Sequence, residues 1–186
     1  MKTEGIHANQ RVGIFIDVQN LYHSAKNLYH GRVNYKELIK HLVAGRQLIR
    51  AVAYVVKSEG VEGIGAASLR EASLAPIGRE AAFFEALEKE GLELRSKDLQ
   101  IYPDGTKKAD WDVGMAVDAI RMAPFLDSVI LVTGDGDFCP LVDYLKWGVG
   151  RLVEVAAFRR SASGKIQESA DRFINMEEIP KIIIRK

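Results

Sequence analysis

The sequence of 186 residues contains a single cysteine, Cys139. One thiol excludes an internal disulfide framework and a cysteine-rich zinc site, and it is compatible with a reducing compartment. The four histidines, His7, His23, His30 and His41, all lie in the first quarter of the chain. We expect them to be surface or packing residues, so the sequence does not favour zinc.

Long apolar runs and a strong net charge are also missing. No segment approaches the roughly 20 apolar residues of a membrane span, and the first ten residues, MKTEGIHANQ, lack the apolar core of a signal peptide. The formal net charge is +1, so no global basic field indicates a nucleic-acid partner, although a local patch can bind one on a neutral protein. We expect a soluble, cytoplasmic protein without a membrane partner.

The composition is typical of one globular domain. Hydrophobic residues make up 47% and charged residues 27% of the 186 residues, which is enough to bury one sizeable core and too little for two ample ones. We predict a single domain over residues 1–186. Its core spans residues 11–175, a Gly-, Ser- and Ala-rich loop or lid occupies residues 57–76, and a tail occupies residues 176–186.

Apolar runs predict the strands. Val12–Val18, Ile49–Val56 and Val129–Val132 are nearly continuous apolar segments, typical of strands buried on both faces. Shorter strands are predicted at Leu92–Lys97 and Arg151–Phe158. Because helical segments separate the strands, we predict right-handed βαβ units. The expected fold is an α/β three-layer sandwich, in which a mainly parallel five-stranded sheet of order 3-2-1-4-5 has helices on both faces.

Helical spacing of apolar residues predicts the helices between these strands. They cover Leu21–Ala44 with a break near Gly31, Gly78–Glu90, Trp111–Met122, Pro140–Trp147 and, as a short final helix, Ile166–Phe173. The apolar face predicted for the third of these helices consists of Val113, Ala116, Val117 and Ile120. The apolar residues at 182–184 either add an edge strand or cover the core.

Aspartates follow two of the predicted strands. Asp17 closes the first and precedes Asn20 by three residues, whereas Asp135 and Asp137 follow the fourth. In the predicted order these strands are neighbours at the switch point of the sheet, where ligands bind. We therefore expect Asp17 and Asp135 side by side. A simpler role for Asp137 stays open, namely the N-cap of the helix that begins near Pro140.

A helix above this crevice can contribute a further carboxylate. Asp112 flanks its predicted apolar face, Asp110 precedes the helix and could cap it, and Asp118 lies nearly opposite the apolar face, where solvent is expected. Converging carboxylates repel one another, and a divalent cation such as Mg²⁺ or Mn²⁺ offsets that cost. Such a cation also suits water attack on a phosphodiester.

Four segments in this order resemble a known family. They are DVQN at Asp17–Asn20, KKADWDVGMAVDA at Lys107–Ala119, LVTGDGDFCPLVDYL at Leu131–Leu145 and SADRFI at Ser169–Ile174. Together they resemble the NYN branch of the PIN-like nucleases, specifically its bacterial LabA-like group. Thr133 replaces the more usual serine, and Cys139 stands where an aliphatic residue is common.

The resemblance implies a PIN-like Rossmannoid fold and a metal-dependent ribonuclease activity. Its acidic site falls here on Asp17, Asp112, Asp135 and Asp137, with Asn20 as a polar support. Asp118 also matches a recurrent family position, which makes it a further candidate ligand.

Two interpretations of function remain open. The first is an Mg²⁺- or Mn²⁺-dependent ribonuclease, with Asp17, Asp112 and Asp135 as principal ligands and Asp137 as a second-metal or water-positioning group. The second is a non-catalytic RNA-binding or regulatory module of the same fold. An Asp-x-Asp site of a sugar-nucleotide transferase does not account for Asp17–Asn20 and leaves no room for an acceptor domain.

Two basic pairs are the predicted contacts to the RNA backbone. Lys107 and Lys108 would lie on one rim of the site, and Arg159 and Arg160, which follow the fifth strand, on the other. A solvated charge cluster is the alternative. A homodimer or another homo-oligomer is also compatible with the sequence.

Overall fold

The computed structural model describes residues 7–57, 77–98, 100–101, 107–108 and 110–185, and it describes residues 77–80, 100–101 and 107–108 by their backbone alone. Apart from Lys57, the predicted loop or lid lies outside these residues. No helix of the described part of the chain is both long and apolar enough to cross a lipid bilayer.

A parallel sheet of six strands forms the centre of the fold. In chain order the strands are β1 (Arg11–Asp17), β2 (Gly31–Val33), β3 (Gln47–Lys57), β4 (Glu93–Asp98), β5 (Gln100–Ile101), β6 (Lys107–Lys108), β7 (Ser128–Val132), β8 (Leu152–Ala157), β9 (Arg172–Asn175) and β10 (Ile183–Arg185). The central sheet has the order β4-β3-β1-β7-β8-β9, while β10 pairs with β2 and β5 with β6. The α/β prediction and the relative order of its five strands are confirmed.

The predicted strand count is wrong by one, because β9 adds a sixth strand beside β8. β9 overlaps the end of the segment predicted as the final helix. That helix stops at Ser169, and Ala170 is extended, with φ −67° and ψ 148°. Asp171 then pairs with the start of β8: its amide donates to the Val153 carbonyl at 2.9 Å, and its carboxylate accepts from the Val153 amide at 2.8 Å. Pairing with a neighbouring strand therefore overrides the helical pattern.

Helices cover both faces of the sheet, as predicted. They are α1 (Val18–Tyr29), α2 (Tyr35–Val43), α3 (Ile77–Lys89), α4 (Asp112–Met122), α5 (Cys139–Asp143), which continues as a π-helix over Tyr144–Gly148, and α6 (Gly164–Ser169). One core cluster joins α1, α2 and α3 to the sheet, through residues such as Leu21, Leu38 and Leu87. The other joins α4, α5 and α6 to the opposite face, through Met115, Leu141 and Ile166.

The apolar face predicted for α4 is wrong. Val113 is 75% exposed and Val117 46%, whereas Met115 and Ala119 are fully buried. Two polar contacts accompany this orientation of α4 about its own axis. The Trp111 indole N–H donates to the Val55 carbonyl at 2.9 Å, and Asp118 accepts a hydrogen bond from the Tyr54 hydroxyl. Such contacts are not visible in a hydrophobic pattern.

The break predicted near Gly31 is a short strand. β2 separates α1 from α2 and pairs antiparallel with β10, so the tail segment both adds a strand and buries Ile182. A Cβ at Gly31 would lie 2.9 Å from the Ile184 carbonyl oxygen and 2.6 Å from Ile183 Cγ2. Only glycine allows this approach without a shift of the tail.

Gly31→Ala is therefore expected to lower the free energy of unfolding by about 1–3 kcal/mol, the usual cost of overpacking. Urea denaturation measures the change. Gly164→Ala is the control, because a Cβ there meets no atom within 4 Å, and it should be neutral or slightly stabilising. Equal midpoints for both variants would contradict the proposed close approach.

Candidate functional site

The site lies where β1 and β7 end side by side. Their register pairs Ile16 with Val132, so the next residues, Asp17 at the end of β1 and Thr133 just after β7, lie at the carboxyl edge of the sheet. All five residues of β7 and the five residues before Asp17 are buried. The buried apolar runs therefore fix the strand ends, and partly exposed aspartates, Asp17 and Asp135, follow them.

Asp17 connects the two strand ends by hydrogen bonds. It is the N-cap of α1, and its Oδ1 accepts the Asn20 amide at 3.0 Å. Its Oδ2 accepts the hydroxyl of the fully buried Thr133 at 3.3 Å. Thr133 Oγ1 in turn accepts the Asp135 amide at 3.2 Å. One threonine thus holds Asp17 and the backbone of Asp135 in a fixed relation.

Asn20 supports the same loop from α1. Its side-chain oxygen accepts the Gly134 amide at 3.0 Å. On the other side of the loop, the Ser163 amide donates to the Gly134 carbonyl at 2.9 Å. The segment after β7 is therefore held by its own turn, by α1 and by the loop after β8.

Asp135, not Asp137, caps the turn that follows. The N-cap of the 3₁₀ turn Gly136–Phe138 is Asp135, whose Oδ1 accepts the Asp137 amide at 2.9 Å. The helix α5 begins at Cys139, and Phe138 stands at its N-cap without a side-chain bond. The N-cap role predicted as the alternative for Asp137 is thus wrong, and its carboxylate is exposed at the start of the turn.

A pocket of about 270 Å³ opens above these residues. Four aspartates line it: Asp17, Asp110, Asp112 and Asp135. The other residues of its wall are Gln19, Asn20, His23, Ser24, Tyr54 and Trp111. The structure therefore brings Asp17, Asp112, Asp135, Asn20 and Asp110 together. Asp137 and Asp118 do not line the pocket.

Two aspartates of the pocket, Asp112 and Asp17, have raised pKa values, which means that their charged forms are disfavoured there. Burial, followed by the charges of Asp17, Asp135, Asp110 and Asp137, raises the pKa of Asp112 to about 6. Burial also raises the pKa of Asp17, against the hydrogen bonds that it accepts from Asn20 and Thr133. Removal from water and mutual repulsion both disfavour the charged carboxylates. A bound cation would relieve both.

The donor set suits a hard cation. All four aspartates of the pocket offer carboxylate oxygens, and Mg²⁺ is usually held by one or two carboxylates while it keeps several waters. Among the described residues, no three His, Cys, Asp or Glu side chains stand close enough to ligate one ion directly. Carboxylates combined with waters fit this spacing. Joint ligation by Asp17, Asp112 and Asp135 stays a prediction.

Asp118 has a different place. It accepts the Tyr54 hydroxyl at 3.0 Å and lies 3.5 Å from Arg95 Nε. Burial and then Asp118 raise the pKa of Tyr54. These contacts join α4 to β3 and β4, so a mainly solvated position is wrong: the Asp118 side chain is only 22% exposed.

The predicted basic residues have mixed outcomes. Lys107 and Lys108 form β6, and their side chains lie outside the described ones. Arg159 and Arg160 are exposed after β8. The Arg159 guanidinium lies 5.2 Å from the centre of the Phe173 ring. Burial raises the pKa of Tyr29, and Arg160 opposes this larger effect by its charge and a side-chain hydrogen bond. Their contact with RNA stays a prediction.

Two residues, one beside the pocket and one in its wall, were not predicted as site residues from the sequence. Lys97 is the penultimate residue of β4. Its Nζ donates to the Asp110 carbonyl at 3.3 Å and lies 5.9 Å from the Trp111 ring centre. His23, expected only on the surface or in packing, lies on the surface and also lines the pocket. Its signal was its spacing from Asn20, since residues three apart share a helix face. For Lys97 the signal was its position at a strand end.

Asp112→Asn is expected to stabilise the metal-free protein above pH 6. Because the pKa of Asp112 is higher in the folded protein, at about 6, than its ordinary value of 3.8, the folded state binds more protons between these values. Stability therefore falls as pH rises through this window. The side chain is partly exposed, so we expect a gain of only about 1 kcal/mol at pH 8, and none below pH 4.

Urea denaturation in EDTA from pH 4 to pH 8 measures this difference. Asp143→Asn is the matched control, because Asp143 is exposed and lies outside the pocket. A gain at pH 8 of the same size in both variants would contradict the repulsion ascribed to Asp112.

Comparison with known proteins gives one family and a structural relative. Among curated proteins, none matches this chain. A crystal structure of a protein of unknown function from Vibrio parahaemolyticus is similar, with 28% sequence identity and a TM-score of 0.79, over 99% of this chain and 100% of that one. The NYN domain family matches residues 11–177, from β1 to the turn after β9. The chain therefore belongs to the NYN domain family, which is of the PIN-like nuclease type.

Proposed function

We propose that this protein is a metal-dependent ribonuclease that hydrolyses RNA phosphodiester bonds with Mg²⁺ or Mn²⁺. The observation that carries the proposal is the pocket in which Asp17, Asp112 and Asp135 meet and in which the pKa of Asp112 is raised to about 6. Membership of a nuclease-type family supports RNA as the substrate. The motifs at Asp17–Asn20 and Leu131–Leu145 further support the LabA-like group.

In this proposal the carboxylates of the pocket would hold the cation. Asp17 and Asp135 each use one oxygen as a helical cap, while the outer Asp112 approaches from α4. When bound, the cation would lower the pKa of a water and stabilise charge on the phosphate. Asn20 and Thr133 keep the loop after β7 in place, and Asp137 would orient the attacking water from the rim.

The RNA backbone would cross the acidic pocket with basic residues on its rims. Lys97 is held beside the pocket by the Asp110 carbonyl and the Trp111 ring, and it can contact a phosphate there. We propose the same role for Lys107, Lys108, Arg159 and Arg160. Such contacts bind without reading sequence and weaken with salt.

A second function is favoured by one observation. Asp17 and Asp135 both cap helical turns, so selection for folding alone would retain them. A non-catalytic RNA-binding or regulatory module would then keep the same pocket. The two functions differ in turnover and not in RNA binding.

Asp135→Asn separates these functions. Asparagine is also a good N-cap, so we expect the variant to unfold close to the wild-type temperature. Loss of the negative charge should lower Mn²⁺-dependent cleavage of a mixed RNA pool at least about 100-fold. Gel analysis of the RNA with Mn²⁺ and with EDTA measures the effect.

Asp118→Asn is the matched control, because Asp118 lies on α4 outside the pocket. We expect it to keep most of the turnover at a small cost in stability. Wild-type cleavage by Asp135→Asn would remove the carboxylate from catalysis. RNA binding without any Mn²⁺-dependent cleavage by the wild-type protein would favour the non-catalytic module.

A further inference from the structure

An aromatic pair on α1 lies at the edge of the acidic pocket. His23 lines the pocket, and the ring of its neighbour Tyr22 lies edge-on to it, with 5.5 Å between centres and 73° between planes. Tyr22 is 47% exposed. Lys26, one turn further along the helix, places its Nζ 5.6 Å from the Tyr22 ring centre.

Tyr22 and Lys26 lie on the exposed side of α1 and are not part of the hydrophobic core. The buried face of the helix consists of Val18, Leu21, Ser24 and Ala25, so Tyr22 and Lys26 project from the other side. An exposed aromatic ring beside a cation is a common arrangement for stacking a nucleobase whose phosphate lies close by. Tyr22 and His23 adjoin the carboxylates, because His23 lines the same pocket.

Other aromatic residues are less suitable. Trp111 also lines the pocket, but its N–H donates to the Val55 carbonyl and its ring packs against the Tyr54 ring. Trp147 is 83% exposed, but it does not line the pocket. Tyr22 thus combines exposure with contact to a pocket residue.

We propose that Tyr22 and His23 form a subsite for one unpaired nucleobase of the RNA strand whose phosphate lies at the carboxylates, with Lys26 at an adjoining phosphate. This inference rests on the proposed function and adds to it the form of the substrate. In a duplex both faces of a base are covered by its neighbours, so the subsite selects a single strand. Stacking of one base contributes roughly 5- to 150-fold in affinity.

The test uses binding and needs no turnover. In an Asp135→Asn background, the affinity for a labelled single-stranded RNA of ten nucleotides is measured by fluorescence anisotropy. Tyr22→Ala should weaken binding about tenfold, whereas Tyr22→Phe, which keeps the ring, should stay within twofold. Tyr144→Ala is the matched control, since Tyr144 is 50% exposed and outside the pocket, and it should also stay within twofold.

A series of RNAs that each lack one base identifies the stacked nucleotide. With Tyr22 present, one of these RNAs should bind about tenfold more weakly than the intact strand; with Tyr22→Ala, that difference should disappear. A Tyr22→Ala variant that binds like its parent, or that keeps the full sensitivity to the missing base, overturns the subsite. So does a parent protein that binds no single-stranded RNA.

The failure of the proposed function has a different signature. Wild-type protein that binds RNA but does not cleave it with Mn²⁺ contradicts the nuclease activity, while the binding comparison still decides the base subsite. Cleavage by wild-type protein together with an unchanged affinity in Tyr22→Ala contradicts only the subsite.

Discussion

The parallel pairing of β1 with β7 is the constraint on which the site depends. Neither strand connects directly to the other along the chain, yet their register ends with Ile16 opposite Val132. The connections on the two sides of this pair lead to opposite halves of the sheet, which leaves a crevice at their carboxyl ends. Asp17 and Asp135 lie at this crevice because Asp17 ends β1 and Asp135 comes three residues after the end of β7.

The side chains to which we assign a function also have structural roles. Asp17 caps α1 and Asp135 caps the 3₁₀ turn, while Thr133 and Asn20 join the two segments. The hydrogen bonds keep the carboxylates in place although burial raises the pKa of Asp17. Burial, and after it the repulsion from the neighbouring carboxylates, raises the pKa of Asp112 to about 6. Under the proposed function, a bound cation would offset this repulsion.

The central part of this site was predictable from the sequence. Continuous apolar runs locate β1 and β7, and strand alternation gives their adjacency, so Asp17 and Asp135 follow from local pattern and topology. The face of α4 that packs against the sheet was not predictable from the sequence. Hydrogen bonds from Trp111 and Tyr54 fix the orientation of the helix about its axis. The edge strand β9 was missed because pairing with β8 decides its conformation. The positions of His23 in the pocket wall and of Lys97 beside it depend on how separate elements pack, which the sequence of one segment does not show.

The measurement that tests the central claim most directly is Mn²⁺ binding, followed by electron paramagnetic resonance, for the wild type and for Asp17→Asn, Asp112→Asn and Asp135→Asn. Each substitution removes a charge from one pocket. If the three carboxylates share a cation, the wild-type protein binds Mn²⁺ at this pocket and each variant binds it at least about tenfold more weakly. Equal Mn²⁺ affinity in the wild type and all three variants would contradict a shared metal site.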